Sequence, residues 1–355
     1  LLYHCCQLLA LFLIVAIVCI RNIENERRIA VNRKSFFKGI AASLLMSFLF
    51  CICFIPVKAD TLDTQEVIVS SSAGKNGYYS HNLETGAVEY VPPPEQIQEE
   101  LHPVPASGIL LAQDDEPSPH IIVGEDNRLP VNNPSDRFLS TCLIRSEIGN
   151  KGYIGTGWLI NDTYVMTAGH MLYKPSLGYA DSIEVYVGAS GGNYKEYRTG
   201  WWKAVGHDYV DSLNNEYNTK GVFDDWGIIE LNTPLTVDVG HLGRYPVSSA
   251  SDMQNRTYYT QGYPGDRNSG VTNWKNRVMY QTSGAIIGNR ERYLPVVNTN
   301  IDITNGQSGS PIYSYRSGYG YAAEGIVVAE YGSQNCNSII LYNTYLDNYV
   351  YDLIN

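Results

Sequence analysis

Charge is scarce in this chain. Only 17% of its 355 residues are Asp, Glu, Lys or Arg, which excludes a coiled coil or other long, charged helical assembly. Basic residues are scarcer still, 25 against 36 acidic ones. The formal net charge of -11 repels a phosphate backbone, so nucleic acid is not expected as a partner. Cysteine is nearly missing beyond residue 59: Cys5, Cys6, Cys19, Cys51 and Cys53 precede that point and only Cys142 and Cys336 follow it. Two thiols so far apart make no disulfide framework, and the sequence leaves open whether they pair. No His/Cys spacing suits zinc, so neither a metal nor a cofactor is expected. Histidine is rare too, with only His170, His207 and His241 after residue 120.

What is present points to strands and turns. Hydrophobic residues make up 44% of the chain, with 28 Tyr and 32 Gly, a composition that favours pleated sheet over helix. The length suits two domains or one double-lobed domain with a sizeable core.

The charge divides the chain into three parts. Residues 1–59 carry seven Lys/Arg and two Asp/Glu, residues 60–120 one and eleven, and residues 121–355 seventeen and twenty-three. Residues 31–59 read as a signal peptide: Arg33, Lys34 and Lys38 precede an apolar run from Gly39 to Val57, and Val57-Lys58-Ala59 supplies small residues for cleavage. The mature chain is therefore expected outside the cell, free of the membrane after processing. The apolar stretch from Leu8 to Ile20 is short against the roughly 20 residues of a membrane span. Residues 1–30 are read as mis-translated or cleaved upstream sequence, with a membrane-anchored precursor as the rival. From Asp60 to His120 the chain is acidic and holds seven prolines, including Pro92-Pro93-Pro94. That composition predicts mostly extended or disordered chain, serving as a linker or a propeptide.

Beyond residue 120, short segments rich in Val, Ile, Tyr and Thr alternate with Gly/Asn/Asp/Ser clusters. Tyr164–Met166, Ile183–Val187, Trp226–Leu231, Arg256–Tyr263, Ala285–Ile287 and Gly325–Val328 are examples. Many short strands at this spacing predict an all-β sandwich or barrel. At the C-terminus, Tyr342, Tyr345, Leu346, Tyr349, Val350 and Leu353 recur at three and four, the apolar stripe of a helix over about 342–354.

His170 ends the apolar strand Val165-Met166-Thr167-Ala168-Gly169-His170, where Ala168 and Gly169 are expected to leave room for a substrate. His207 and His241 lie in polar sequence and are expected on the surface. In Asn305-Gly306-Gln307-Ser308-Gly309-Ser310-Pro311, the glycines permit a tight turn whose N–H groups converge on an oxyanion and lift the Ser308 hydroxyl toward a base. Two decoys share parts of the pattern: Ser190, expected in a surface hairpin, and Ser283, which lacks the glycine two places earlier. A neutral histidine needs a buried carboxylate to hold its tautomer, and Asp225 stands just before the apolar strand Trp226–Leu231. His, Asp and Ser thus follow in that chain order, 55 and 83 residues apart.

Five blocks occur in sequence: Thr156-Gly157-Trp158-Leu159-Ile160, Thr167-Ala168-Gly169-His170, Asp225-Trp226-Gly227-Ile228-Ile229, Gly262-Tyr263-Pro264-Gly265-Asp266 and Gly306-Gln307-Ser308-Gly309-Ser310-Pro311. Together they resemble the bacterial glutamyl-endopeptidase-like branch of the chymotrypsin-fold serine proteases. The resemblance covers residues 121–355 and implies two six-stranded β-barrels, about 121–240 and 241–340, followed by the C-terminal helix. It implies a secreted, monomeric zymogen acting on protein or peptide substrates. The general base would be His170, its orienting acid Asp225 and the nucleophile Ser308, with the N–H groups of Gly306 and Ser308 as oxyanion hole. Asp224 matches less well, because the family pattern is Asp, aromatic, Gly.

Ile121-Ile122-Val123-Gly124 resembles the mature start of the family, which puts processing near His120. Gln307 stands where trypsin-type activation needs an Asp. Specificity is ambiguous. Asp302 occupies the position of a trypsin-like base-binding carboxylate, whereas Val327 and Ile303 replace the His and the hydroxyl residue expected for glutamate recognition. Thr156 and Met171 replace the cysteines of a disulfide that often clasps the His in relatives. A catalytically inactive binding or toxin-like module on the same fold is the alternative. An α/β-hydrolase esterase would need Ser before His and alternating helices, and the sequence has neither.

Overall fold

The computed structural model describes residues 74–94, 103–105, 126–211, 224–289, 297–331 and 336–354, all within the compact unit Ile68–Asn355. The upstream segment 1–30, the signal peptide 31–59, the processing point near His120 and the Cys336 side chain lie outside the described residues. Cys142 is buried with a free thiol.

Strands run in chain order as β1 (Tyr78–His81), β2 (Val88–Val91), β3 (Leu129–Val131), β4 (Thr141–Ile148), β5 (Lys151–Leu159), β6 (Tyr164–Thr167), β7 (Tyr173–Lys174), β8 (Gly178–Tyr179), β9 (Ser182–Val187), β10 (Glu196–Gly206) and β11 (Gly227–Leu231). They continue as β12 (Gly243–Arg244), β13 (Tyr258–Gly262), β14 (Met279–Gly284), β15 (Ile286–Asn289), β16 (Val297–Thr299), β17 (Pro311–Arg316), β18 (Gly320–Tyr331) and β19 (Cys336–Leu341). A short helix α1 (His207–Asp211) follows β10, and α2 (Thr344–Ile354) ends the described chain.

Turn chemistry and alternation build the first barrel. Gly149 and Asn150 both take positive φ, 56° and 63°, the backbone of a two-residue turn whose twist matches its flanking strands. It sets Ile148 opposite Lys151 and keeps the β4–β5 ladder in register to Thr141 opposite Trp158. The sheet then runs β11-β6-β5-β4-β9-β10, and β10 also pairs with β11, closing six antiparallel strands. Inward side chains such as Ile144, Trp158, Val165, Val185 and Ile229 fill it at 1% exposure or less. The second sheet runs β15-β16-β19-β18-β17-β13-β14-β3. Because β14 and β15 are separated by Ala285 alone, one bent strand pairs with β13 at one end and β16 at the other, giving a second six-member ring. Tyr258, Ile301, Ile312, Ile339 and Leu341 are packed inside it. The all-β double barrel expected from the sequence is thus present, and α2 lays Leu346, Tyr349 and Val350 against the first-barrel core.

Of the stretch 60–120, expected to be mostly extended or disordered, residues 74–94 hold extended, paired strands. β1 and β2 form a hairpin, Tyr78 opposite Val91, and β1 adds to β10 with Tyr78 opposite Gly206. The Asn82 carboxamide accepts the N–H groups of Glu84 and Thr85 to shape the connection. The acidic composition offers little apolar surface, but pairing with an existing sheet edge satisfies the backbone and lets Tyr78 pack on Trp226 and Tyr349. Three further placements differ from expectation. His207 and His241 are half-buried, and His207 is stacked on Tyr79 and paired with Asp208 and Asp211. Ser190 does close the β9–β10 hairpin opposite Asn193, but its side chain is buried, its Oγ accepting the Met279 N–H.

Candidate active site

His170 follows β6 in a 3-10 turn, Gly169–Met171, and its imidazole is only partly exposed, at 16%. Asp225 immediately precedes Trp226 and β11, which pairs with β6, so the strand ladder itself sets the two residues side by side. Asp225 Oδ1 accepts the His170 backbone N–H at 2.7 Å, and Oδ2 lies 2.7 Å from His170 Nδ1. One carboxylate therefore holds both the backbone and the ring of the histidine. Gly169 is not open space for a substrate. A Cβ there would stand 2.9 Å from the Trp226 carbonyl and 3.1 Å from Asp225 Oδ1, and Ala168 is fully buried. Glycine is present because the acid loop packs directly on it.

Ser308 lies on the turn from Thr304 to Ser310 that precedes β17. Gly306 and Gly309 take φ of +95° and +86°, backbone that other residues adopt at a cost. The N–H groups of Gly306 and Ser308 donate to no backbone acceptor among the described residues, whereas Gln307 N bonds Thr304 O and Gly309 N bonds Val327 O. Thr156 on β5 stitches this turn to the first barrel: its N–H donates to Ser308 O at 2.9 Å and its Oγ1 to Gly306 O at 2.8 Å. Thr167, three residues before His170, donates to Thr156 O. A Cβ on Gly309 would stand 2.4 Å from Thr167 Oγ1 and 2.9 Å from Ala168 N. The serine turn thus leans on the strand that carries His170.

Asp224, the neighbour that fits the motif less well, is buried with its carboxylate accepting three N–H groups: Gly74 N at 2.6 Å, Trp226 Nε1 at 2.7 Å and Asp208 N at 2.8 Å. Burial pushes its carboxyl up to about 7, with the N–H donors pulling the other way. Sequence reasoning missed Thr156, Thr167 and Asp224. The signals were a hydroxyl between Gly155 and Gly157, a hydroxyl facing inward before the His, and a second Asp before a buried Trp. The cysteine replacements have their own roles, since Met171 packs its sulfur on Gly155.

The residues expected to shape specificity fall into two groups. Ile303 and Val327 are buried in the second-barrel core. Asp302 is half-buried and accepts the Asn127 N–H at 3.1 Å. Burial raises its carboxyl above the usual range, with the Asn127 donor opposing. Among the described residues no three His, Cys, Asp or Glu side chains gather as a metal site.

The chain is 32% identical over 198 residues to a glutamyl endopeptidase of Bacillus licheniformis, covering 55% of each protein. It is 27% identical over 208 residues to an extracellular metalloprotease of Bacillus subtilis, covering 58% of this chain and 61% of that one. It therefore spans little more than half the length of these curated relatives. The solved structure of a Glu endopeptidase in complex with MPD has a TM-score of 0.52 at 21% identity, covering 65% of this chain and 99% of that one, and shares the fold. Residues 132–351 match the family model described as Trypsin, and the chain belongs to the trypsin family.

Proposed function

We propose that the protein is a serine endopeptidase in which Ser308 is the nucleophile, His170 the general base and Asp225 the acid that orients it. The observation that carries this reading is the double grip of Asp225 on His170, both bonds 2.7 Å long, with Gly309 of the serine turn packed on Thr167 and Ala168 just before His170. Ser308 Oγ attacks the peptide carbonyl as His170 takes its proton. Asp225 holds the Nδ1–H tautomer and stabilises the imidazolium. The oxyanion forms against the N–H groups of Gly306 and Ser308, which donate to no backbone acceptor among the described residues. His170 then protonates the leaving amine, and water resolves the acyl-enzyme.

Secretion as a zymogen agrees with the signal-like residues 31–59 and the acidic stretch beyond them. A preference for cleavage after glutamate is supported by the likeness to the B. licheniformis protein. The expected pocket positions Asp302, Ile303 and Val327 contribute no cation to it. A peptide-library digest read by mass spectrometry measures that preference directly.

The test of the core reading is labelling by an organophosphorus serine reagent, with the adduct mapped to Ser308. Ser308→Ala should abolish labelling and lower turnover by about a millionfold. An unlabelled, correctly folded wild type would instead support an inactive binding module.

A further inference from the structure

Asp224 is 1% exposed and forms no ion pair among the described residues; its charge is met by three N–H groups alone. Its backbone is equally confined. Its carbonyl accepts the Trp226 N–H, and a Cβ on Gly206 of β10 would stand 2.1 Å from that oxygen. With Asp224 pinned at side chain and backbone, the next residue along, Asp225, has little freedom to turn from His170.

Two of the three donors, Asp208 N of α1 and Trp226 Nε1 just before β11, lie within residues 132–351 that match the family model. The third and shortest, Gly74 N at 2.6 Å, lies 150 positions upstream, in the stretch whose composition suggests a removable propeptide. That stretch is bound at several points. Tyr349 of α2 donates its hydroxyl to Gly74 O at 2.6 Å, Asn76 donates to Asp208 and Tyr79 to Asp211, and β1 extends β10. Gly74 takes φ +74°, and a Cβ on it would meet the Tyr349 ring at 2.8 Å. Among the described residues, no hydrogen bond of segment 74–94 reaches Ser308, His170 or the Thr304–Ser310 turn.

We propose that the Gly74 amide and Asp224 form a clasp that positions the catalytic acid, and that segment 74–94 stays with the working enzyme rather than leaving it on processing. Asp224 is here a positioning residue that acts through Asp225, and the inference rests on the triad reading above. Loss of the clasp loosens the Asp225–His170 pair and slows acylation. Among the described residues, Gly74, Asp224 and Tyr349 of the clasp make no hydrogen bond to Asp302, Ile303 or Val327, so KM is expected to change little.

The test combines composition and kinetics on the full-length protein, matured as it is secreted. Intact-mass analysis under native and denaturing conditions shows whether residues 74–94 accompany the active enzyme, as one chain or as a bound fragment. Gly74→Pro, which removes the N–H and also forces φ away from +74° and a Cβ toward the Tyr349 ring, and Tyr349→Phe, which removes only the hydroxyl that holds Gly74, are titrated with the organophosphorus reagent so that kcat is expressed per labelled site. The segment should be retained. Gly74→Pro should lose at least about tenfold in kcat with KM within about twofold, and Tyr349→Phe should lose less in the same direction. If Gly74→Pro does not accumulate, Tyr349→Phe carries the kinetic arm. An enzyme lacking 74–94 at full kcat, or variants unchanged per labelled site, overturns the clasp. A wild type that takes no label overturns the serine reading and the clasp with it, whereas a labelled wild type with indifferent variants sinks the clasp alone.

Discussion

Adding one methyl group at Gly169 tests how tightly the acid, the base and their supporting strands are joined. In Gly169→Ala the new Cβ would lie 2.9 Å from the Trp226 carbonyl oxygen and 3.1 Å from both Asp225 Oδ1 and Tyr209 Cδ1. Reaching ordinary contact requires a displacement of about half an ångström. The Trp226 carbonyl is held by the Gly206 N–H, and Asp224 by its three donors, so the acid loop cannot retreat freely. The strain falls on the Asp225–His170 pair, whose bonds are 2.7 Å. Overpacking of this kind costs about 1–3 kcal/mol, or a fall in Tm of about 2–10 °C for a domain of this size. Since a misplacement near 1 Å can cost about a hundredfold in rate, kcat should drop by about ten- to a hundredfold with KM little changed. Steady-state kinetics on a peptide substrate, normalised to organophosphorus-titrated sites, measures this. A kcat within about threefold of wild type would refute the argument that the glycine is required by the acid loop.

Further outcomes are expected away from the cleft. Glu324 is fully buried and bound by Arg316, Tyr258 and Ser314, so Arg316→Met should destabilise by about 3–5 kcal/mol by leaving a carboxylate without its cation. Denaturant unfolding checks this, and a loss below about 1 kcal/mol would mean that the pair carries no buried charge. Burial opposes ionisation of Asp266, but its bonds to Arg128 and Thr304 outweigh that and hold its carboxyl at about 2. A folded-state value below the unfolded one of 3.8 means stability that is present above that pH and lost as pH falls toward the folded value. Melting temperature should therefore decline between about pH 4 and 2, and Asp266→Asn should flatten that decline. An unaltered slope in the variant would assign the acid transition to other groups.

Much of the architecture was legible because it depends on short-range pattern. The alternating run Ile183–Val187 became β9, Tyr164–Met166 became β6, and the stripe from Tyr345 to Leu353 became α2. His170 and Ser308 could be singled out by the small residues beside them, and Asp225 because it stands just before the apolar strand Trp226–Leu231, between the other two in the chain. The same reasoning failed where the partner lay far along the chain. Gly169 looked like room for a ligand, yet a carbonyl and a carboxylate from β11's approach occupy that space. Ser190 sat in Gly-rich sequence that reads as surface, but its Oγ is buried against Met279 N.

The sequence by itself determined which residues could alternate, turn tightly or form a helical stripe, and it marked the serine turn, because those properties depend on neighbours a few positions away. Only the tertiary structure decided that residues 74–94 add strands to the first barrel, that Gly74 meets Asp224 and that Thr156 ties Ser308 to the His170 strand. The β1–β10, Gly74–Asp224 and Thr156–Ser308 contacts each join groups separated by more than 100 residues, and a backbone N–H looks the same from the sequence whichever acceptor the closed sheets finally bring to it.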